Sequence, residues 1–311
     1  MQKTISTFST LLLIYVLMEF PKNSENKFLK HNTPDFPQIS SFRFMNSTQL
    51  VSAGNGHLTL SVPPWVFELD RGANGSYNRD EEVQAALLNP NNFKAQDKED
   101  YYALQHFFNS QVQEGLILES GALDGLQLST SWMFEKTLGW RAIHIEANPR
   151  SYEDLVRNRP DALNINVALC REPQTLHLAY DEEKRAVGGI WEFMPEEFKK
   201  LWWKEIKSEE SLPTVGCMPL APLLLLFDIS HVNFWVLDVE GAELEVLQAT
   251  DFERVTFDVI AMETLGMDEE RDFAAISFLN SKGYITFSKV GRNTWLVSEK
   301  MALIAKQIKK V

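Results

Sequence analysis

Residues 115–125 read Gly115-Leu116-Ile117-Leu118-Glu119-Ser120-Gly121-Ala122-Leu123-Asp124-Gly125. Three aliphatic residues in succession suit a strand buried on both faces, as in a parallel sheet. An acid ends the run, and Gly121 and Gly125 permit a tight turn with the backbone close to a neighbour or ligand. The third glycine of the dinucleotide fingerprint G-x-G-x-x-G is missing, which disfavours a nucleotide-dependent oxidoreductase.

The same syntax repeats outward from this stretch. The pattern predicts a helix over Gln127–Leu138, stopped by Gly139, and a second strand over Arg141–Glu146. Ser151-x-x-Asp154 has the form of a capping box opening a helix through Asn158. A third strand covers Leu163–Leu169, and Leu176–Tyr180 is a candidate fourth. Val232–Asp238 and Val255–Met262 are further buried strands, with Glu243–Gln248 helical between them. Asp268–Lys282 has helical periodicity, and Tyr284–Val290 with Asn293–Ser298 form a hairpin around Gly291-Arg292. Tyr101, Leu104, Phe107 and Phe108 mark a lead-in helix. The expected fold is therefore α/β: a mostly parallel sheet with right-handed crossovers, helices on both faces and an antiparallel C-terminal hairpin. Ligands in such sheets bind beyond the carboxyl ends of the strands.

Acids stand at those ends. Glu146, ending the second strand, occupies the place where a carboxylate accepts bonds from ribose hydroxyls. Asp238-Val-Glu240-Gly241-Ala-Glu243 follows a strongly apolar strand, and Glu263 ends the next. An oxygen-rich cluster of this kind also suits Mg²⁺. Its spacing fixes no ligand set, so no metal ligand is assigned. His144 alternates with Ile143 and Ile145 and reads as a packed strand residue, while His231 precedes a strand at the opposite end.

The chain has 311 residues, a formal charge of −13 and 44% hydrophobic residues, which excludes global disorder. So acidic a chain repels phosphate backbones, and no nucleic-acid partner is expected. Two cysteines exclude a disulfide-built scaffold. Cys170 and Cys217 either pair in an oxidising lumen or stay as buried thiols.

The N-terminus differs from the rest. Lys3 precedes the apolar run Leu11–Met18, which is too short for a comfortable membrane span. Residues 1–21 are read as a signal peptide or short signal-anchor. The secretory pathway is the expected location, in the ER or Golgi lumen as a secreted or type II membrane protein, with membrane attachment through the apolar run. The cytoplasm is the alternative. Sequons at Asn46 and Asn74 agree with luminal placement. Residues 22–97 are rich in Pro, Asn, Ser and Gly and read as a linker or stem, with one candidate strand at Leu58–Val62.

Four stretches together resemble the FkbM-type methyltransferases. They are Glu119-Ser-Gly-Ala-Leu-Asp-Gly125, Gly139-Trp-Arg through Ile145-Glu-Ala-Asn-Pro149, Asn166-Val-Ala168, and Leu237-Asp-Val-Glu-Gly-Ala-Glu-Leu-Glu-Val-Leu247. The resemblance implies a class I, Rossmann-like methyltransferase domain over 98–311, with a seven-stranded sheet and S-adenosylmethionine as cofactor. It assigns Glu119, Gly121 and Gly125 to the methionine portion, Ser120, Ala122 and Asp124 to cofactor binding in the same motif, and Glu146 to the ribose. Ala147 and Asn148 would lie beside the adenosine, and Asn166, Val167 and Ala168 by the adenine. Asp238 would face the methionine end and the acceptor. The implied reaction is methyl transfer, typically to oxygen, on a glycan or small-molecule acceptor. Asp238, Glu240 or Glu263 would serve as base or orient the acceptor. The chain departs from the family pattern at Leu220-Ala221, where Leu-Asp is common, and at Val236, where lysine is common. Part of the family, including Star-like proteins with a membrane-anchored N-terminus, acts without evident methylation. The alternative expectation is thus a catalytically silent, membrane-tethered trafficking or binding module.

Asp181–Gly216 is the least core-like stretch of this domain. Gly188-Gly189 offers a hinge, and Pro195 opens a helix. That helix is either a peripheral element or an acceptor-site lid in which Trp191, Trp202 or Trp203 stacks on the acceptor.

Overall fold

Ile117 and Leu118 are adjacent in one strand and both fully buried, each facing a different layer of helices. The same division separates Phe234 from Trp235 on the neighbouring strand. A period of two with both faces apolar is what a sheet covered on both sides demands. The computed structural model describes residues 39–45, 48–53, 58–67, 87–108, 115–264 and 266–308. The leader assigned to residues 1–21 and the asparagines of both sequons lie outside them.

The central strands are β4 (Leu116–Ser120), β5 (Arg141–Glu146), β6 (Leu163–Asn166), β11 (His231–Leu237) and β12 (Thr256–Glu263), all parallel. β14 (Asn293–Val297) adds antiparallel to β12, and β13 (Ile285–Val290) closes that edge. The spatial order β6-β5-β4-β11-β12-β14-β13 reverses direction of progress at β4, making the β4–β11 boundary the topological switch point. On one face lie α1 (Glu99–His106), α2 (Ser131–Lys136) and α8 (Glu299–Ile308), around an aromatic cluster of Phe107, Phe108, Phe134, Trp140, Phe234 and Trp295. On the other lie α5 (Leu220–Leu225), α6 (Glu243–Ala249) and α7 (Glu269–Ser281).

The sheet has ten strands rather than the expected seven. β1 (Ile39–Met45), β2 (Thr48–Ala53) and β3 (Leu58–Val62) form an antiparallel meander, and β3 pairs with β6 through Leu60↔Ile165. The linker assigned to 22–97 therefore contains sheet, and the domain begins well before residue 98. The physical reason is that β6 would otherwise be an open edge. Leu60 and Val62 bury their side chains in the main core, while the Trp65 indole N–H donates to Asp161 O at 2.8 Å. Among the described residues no helix is long and apolar enough to cross a membrane.

Two helix starts also differ from expectation. α2 begins at Ser131, not Gln127, because Leu128 has φ +59° and the next backbone donors turn toward Glu119. α3 (Pro149–Asn158) is capped by Asn148, whose Oδ1 accepts from Arg150 N at 2.9 Å, with Pro149 in the first turn. Proline at that position and an Asx cap outcompete the Ser151 box, and Ser151 is buried inside the helix.

The third expected strand divides at Val167. β6 stays in the main sheet, while β7 (Ala168–Leu169) enters a second sheet, β7-β10-β8-β9. Its other members are β8 (Gln174–Ala179), β9 (Gly189–Ile190) and β10 (Thr214–Met218). Cys170 and Cys217 form a disulfide there, closing the alternative of free thiols. The bridge joins the paired strands β7 and β10 over a separation of 47 residues. Non-reducing peptide mapping should recover Cys170 and Cys217 in one linked fragment. Cys170→Ser with Cys217→Ser should lower stability by about 2–4 kcal/mol in denaturant melts. Full alkylation of both residues in the native, unreduced protein would contradict the pairing.

Candidate active site

Strand register gathers the site. Val236 pairs with Glu119 and Leu237 with Ser120, so Asp238 emerges beside Gly121. Leu237 pairs with Met262, which sets Asp238 beside Glu263, and Glu263 pairs with Asn293. On the other side Glu146 pairs with Asn166. A row of polar side chains thus crosses the carboxyl edge of the sheet, over a cleft with about 1090 Å³ of free space including its solvent mouth.

Gly121 is required by the protein before any ligand. Its φ is +87°, and a β-carbon there would lie 1.8 Å from Asp238 O. Gly121 N and Ala122 N both donate to Ile145 O, so the turn after β4 is held by β5 and pressed against β11. Gly125 serves packing: its missing Cβ leaves room for Arg159 Cγ and Leu155 Cδ1, each 2.6 Å from that point.

Glu119 reaches the cleft, yet its oxygens already accept from Thr130 N at 2.7 Å, Ser129 Oγ at 3.0 Å and Ser131 N at 3.3 Å. It organises the loop into α2. Behind it, His144 Nδ1 donates to Asn164 Oδ1 and Nε2 accepts from Ser131 Oγ, each at 2.8 Å. Burial holds His144 neutral, well below its ordinary pKa. As expected, it is a packed strand residue. The buried Arg159 guanidinium donates to Gly125 O, Ser129 Oγ, Ser131 Oγ and Glu135.

At the other end, Glu146 accepts from Leu123 N and Asn148 N, both at 2.8 Å. Its carboxylate is fixed at the cleft wall with lone pairs left over, as a ribose ligand must be. Burial pushes its pKa up to about 7. Asn148 lines the cleft, and its side-chain amide nitrogen is buried with no hydrogen-bond partner among the described residues. Ala147, Val167 and Ala168 supply apolar wall.

Four residues assigned to the cofactor do not line the cleft. Ser120 Oγ accepts from Trp235 Nε1, Asp124 Oδ1 caps Leu126 N and Gln127 N, and Gly125 packs as described. Asn166 Nδ2 donates to Glu146 O and Ala147 O, shaping the wall from behind. Each stands in or beside one of the matching motifs, with its polar group or its space taken up by a neighbour within the protein.

Other lining residues come from segments the sequence left unassigned. Arg185, Gly188, Gly189 and Ile190 bring the second sheet over the cleft. Gln96, Glu99 and Asn293 close it from the front. Glu99 Oε1 accepts from Asn293 Nδ2 at 2.6 Å, and Asp97 Oδ2 accepts from Arg292 N and Nε. Gln96-Asp97-Lys98-Glu99-Asp100 reads as a solvated charge run, but Glu99 and Asp100 are buried. Charge directly ahead of aromatic α1 was the available signal. None of Trp191, Trp202 and Trp203 lines the cleft. Trp203 is buried, with its indole N–H donating to Val187 O, so it anchors α4 (Glu196–Trp202) rather than stacking on an acceptor.

Asp238, Glu240 and Glu263 meet at the switch point, with one oxygen of each within 4.8 Å of the others. Asp238 and Glu240 line the cleft; Glu263 sits behind them against a second, smaller cavity. Burial first, then mutual repulsion, raises the pKa of Glu240 and Glu263 well above the ordinary range. Glu243 stands apart because its Oε1 accepts from Val239 N and Gly241 N, fixing the turn that presents Glu240. Of the two departures from the family pattern, Val236 lines the cleft, whereas Ala221 is buried in α5 and does not.

Residues 119–286 match the family described as Methyltransferase FkbM domain. No curated protein matches the chain. Among solved structures, Aeropyrum pernix fibrillarin with bound S-adenosyl-L-methionine is 15% identical, covering 84% of this chain and 98% of its own at a TM-score of 0.34. Geobacter metallireducens precorrin-6y C5,15-methyltransferase is 14% identical, covering 64% and 85% at a TM-score of 0.33. A SAM-dependent methyltransferase from Aquifex aeolicus is 13% identical, covering 71% and 97% at a TM-score of 0.31. At such TM-scores these likenesses add nothing to the topology already given by the strands.

Glu99 and Glu146 both have pKa values raised to about 7 by burial, against an ordinary 4.5. The folded chain keeps protons there that the unfolded chain releases, so this contribution to stability is complete below about pH 4.5 and lost as pH rises through about 7. The melting temperature of ligand-free protein should therefore fall between about pH 4.5 and pH 7, and Glu146→Gln should shrink that fall. A flat or rising melting temperature over the interval, checked by calorimetry, would contradict the buried-carboxyl assignment.

Proposed function

The chain belongs to the FkbM methyltransferase domain family, whose cofactor is S-adenosylmethionine, and on that premise we propose that it methylates a hydroxyl oxygen on a glycan or small-molecule acceptor. The observation that carries this reading is the meeting of Asp238, Glu240 and Glu263 where the cleft passes the switch point.

The residues present fit the cofactor. Glu146 offers spare lone pairs for ribose hydroxyls, and the Asn148 amide lacks a protein partner. Acidic lining by Glu119, Glu146, Asp238 and Glu240 complements a cationic ligand. When bound, the cofactor supplies an electrophilic methyl: its S–CH₃ bond breaks, leaving the electron pair on sulfur, as the O–CH₃ bond forms.

The chain's own contribution is alignment and proton removal. In-line substitution gains most of its rate from holding both reactants in register. Asp238, fixed by the Gly121 contact, orients the acceptor hydroxyl, and Glu240 takes its proton. A carboxyl whose pKa is raised is a stronger proton acceptor once ionised, and a neighbouring sulfonium favours that ionised form. Arg185, Gly188, Gly189 and Ile190 line the cleft and would limit water there, whereas the helix opened by Pro195, the lid candidate, supplies no lining residue. We assign the protein to the lumen of the secretory pathway, where the Cys170–Cys217 disulfide would persist.

The test is transfer of labelled methyl from S-adenosylmethionine to a panel of glycans and small alcohols. Glu240→Gln should cut turnover by about a hundredfold or more while calorimetry shows cofactor affinity within about tenfold of wild type. Unchanged turnover in that variant would remove Glu240 as the base. Label appearing on nitrogen or carbon acceptors instead of oxygen would overturn the proposed chemistry.

A further inference from the structure

We propose that Asp238, Glu240 and Glu263 form a binding site for one hard divalent cation, which holds the acceptor oxygen at the reacting end of the cleft. The second half of this inference rests on the methyl-transfer reading above; the cation site itself does not.

The geometry comes first. One oxygen from each of the three carboxylates lies within 4.8 Å of the others. Hard cations bind oxygen at about 2.0–2.6 Å, so oxygens on opposite sides of one ion stand about 4–5 Å apart. A single ion can therefore touch all three with small side-chain adjustments. The donor set is oxygen alone, with neither His nor Cys, which selects Mg²⁺, Mn²⁺ or Ca²⁺ over zinc or copper.

The second observation is independent of the clustering. Glu263 is 6% exposed, and its Oε2 is buried with no hydrogen-bond partner among the described residues. The group it faces at hydrogen-bonding range is the Asp238 carboxylate. Two ionised carboxylates are acceptors only and cannot satisfy one another. A proton on one of them or a cation between them satisfies both. A shared proton serves that pair alone, whereas one cation serves the pair and Glu240 together.

The surrounding charges meet the need only in part. Arg292 acts on Asp238, Glu240 and Glu263, but its charge is shared with Asp97, whose Oδ2 accepts from its Nε at 3.1 Å. Glu243 adds negative charge and is engaged by two backbone donors. Register explains why the three converge: Asp238 and Glu263 end adjacent parallel strands, and Glu240 follows two residues after Asp238. Asp238 and Glu240 line the cleft and Glu263 does not, so an ion held by all three sits at the cleft wall, open to an acceptor oxygen on one side.

Mn²⁺ titration of the full chain, followed by paramagnetic resonance without acceptor, tests the site directly. One bound Mn²⁺ per chain is expected, displaced by excess Mg²⁺ or Ca²⁺. Glu263→Gln and Glu240→Gln should each weaken binding by at least about tenfold. Unchanged melting temperature and unchanged S-adenosylmethionine binding by Glu263→Gln would show that the variant is folded. Absence of Mn²⁺ binding at millimolar metal, or binding indifferent to both substitutions, overturns the site. Methyl transfer that continues in chelator overturns the cation's role and leaves the methyltransferase reading standing. Stoichiometric Mn²⁺ binding sensitive to both substitutions, in a protein that methylates no hydroxyl, sustains the site and removes that reading.

Discussion

A carbonyl oxygen occupies the place where residue 121 would carry its β-carbon. The distance from that point to Asp238 O is 1.8 Å, so β4 and β11 can leave the sheet side by side only if residue 121 is glycine. That contact lies at the switch point, where the helices that follow the two strands depart to opposite faces. It holds the Asp238 backbone against the β4 turn and fixes where the Asp238 side chain begins. Glu146 on one side and Glu263 on the other take their positions from the same register. Fold and site are one construction here, since the parallel pairing that builds the core also delivers the acids to its edge.

The acids around the cleft divide by what satisfies them. Glu119 organises the approach to α2, Glu146 ties two backbone donors at the cleft wall, and Glu243 fixes the turn around Gly241. Each has donors from its own chain, and burying it costs correspondingly less. Asp238, Glu240 and Glu263 face one another instead; desolvation raises the pKa of each, and repulsion within the cluster adds to it at Glu240 and Glu263. A protein keeps such an arrangement where a positively charged species completes it. A cationic cofactor would meet that need from the cleft, and a metal ion would meet it from the wall.

Much of this was legible in the residues. β4, β5, β11 and β12 are runs of aliphatic and aromatic residues whose identity as buried strands needs no tertiary information, and their terminal acids mark the site. What escaped was non-local. Nothing in Thr59-Leu60-Ser61 announces that it pairs with β6, because that partner lies about a hundred residues away. Glu99 reads as solvated until the Asn293 amide is placed on it by the closing hairpin. Ser120, Asp124, Gly125 and Asn166 sit in or beside the matching motifs but do not line the cleft, and they support the residues that do. A motif does not separate a residue that touches a ligand from one that shapes the backbone beneath it. Trp203 illustrates the reverse error, an aromatic in a candidate lid that packs inward.

The second sheet shows how the fold finishes the site. Val167 separates β6 from β7, and from there the chain runs through β8 to Gly189 and Ile190 at the cleft, while Cys217 on the later β10 is tied back to Cys170. Cofactor in this cleft therefore has to touch segments far apart in sequence at once. Hydrogen–deuterium exchange with and without S-adenosylmethionine tests that most directly. The account predicts slowed exchange together in peptides covering 119–130, 145–148 and 185–190. Exchange unchanged in all three at millimolar cofactor, or slowed only elsewhere, would contradict it.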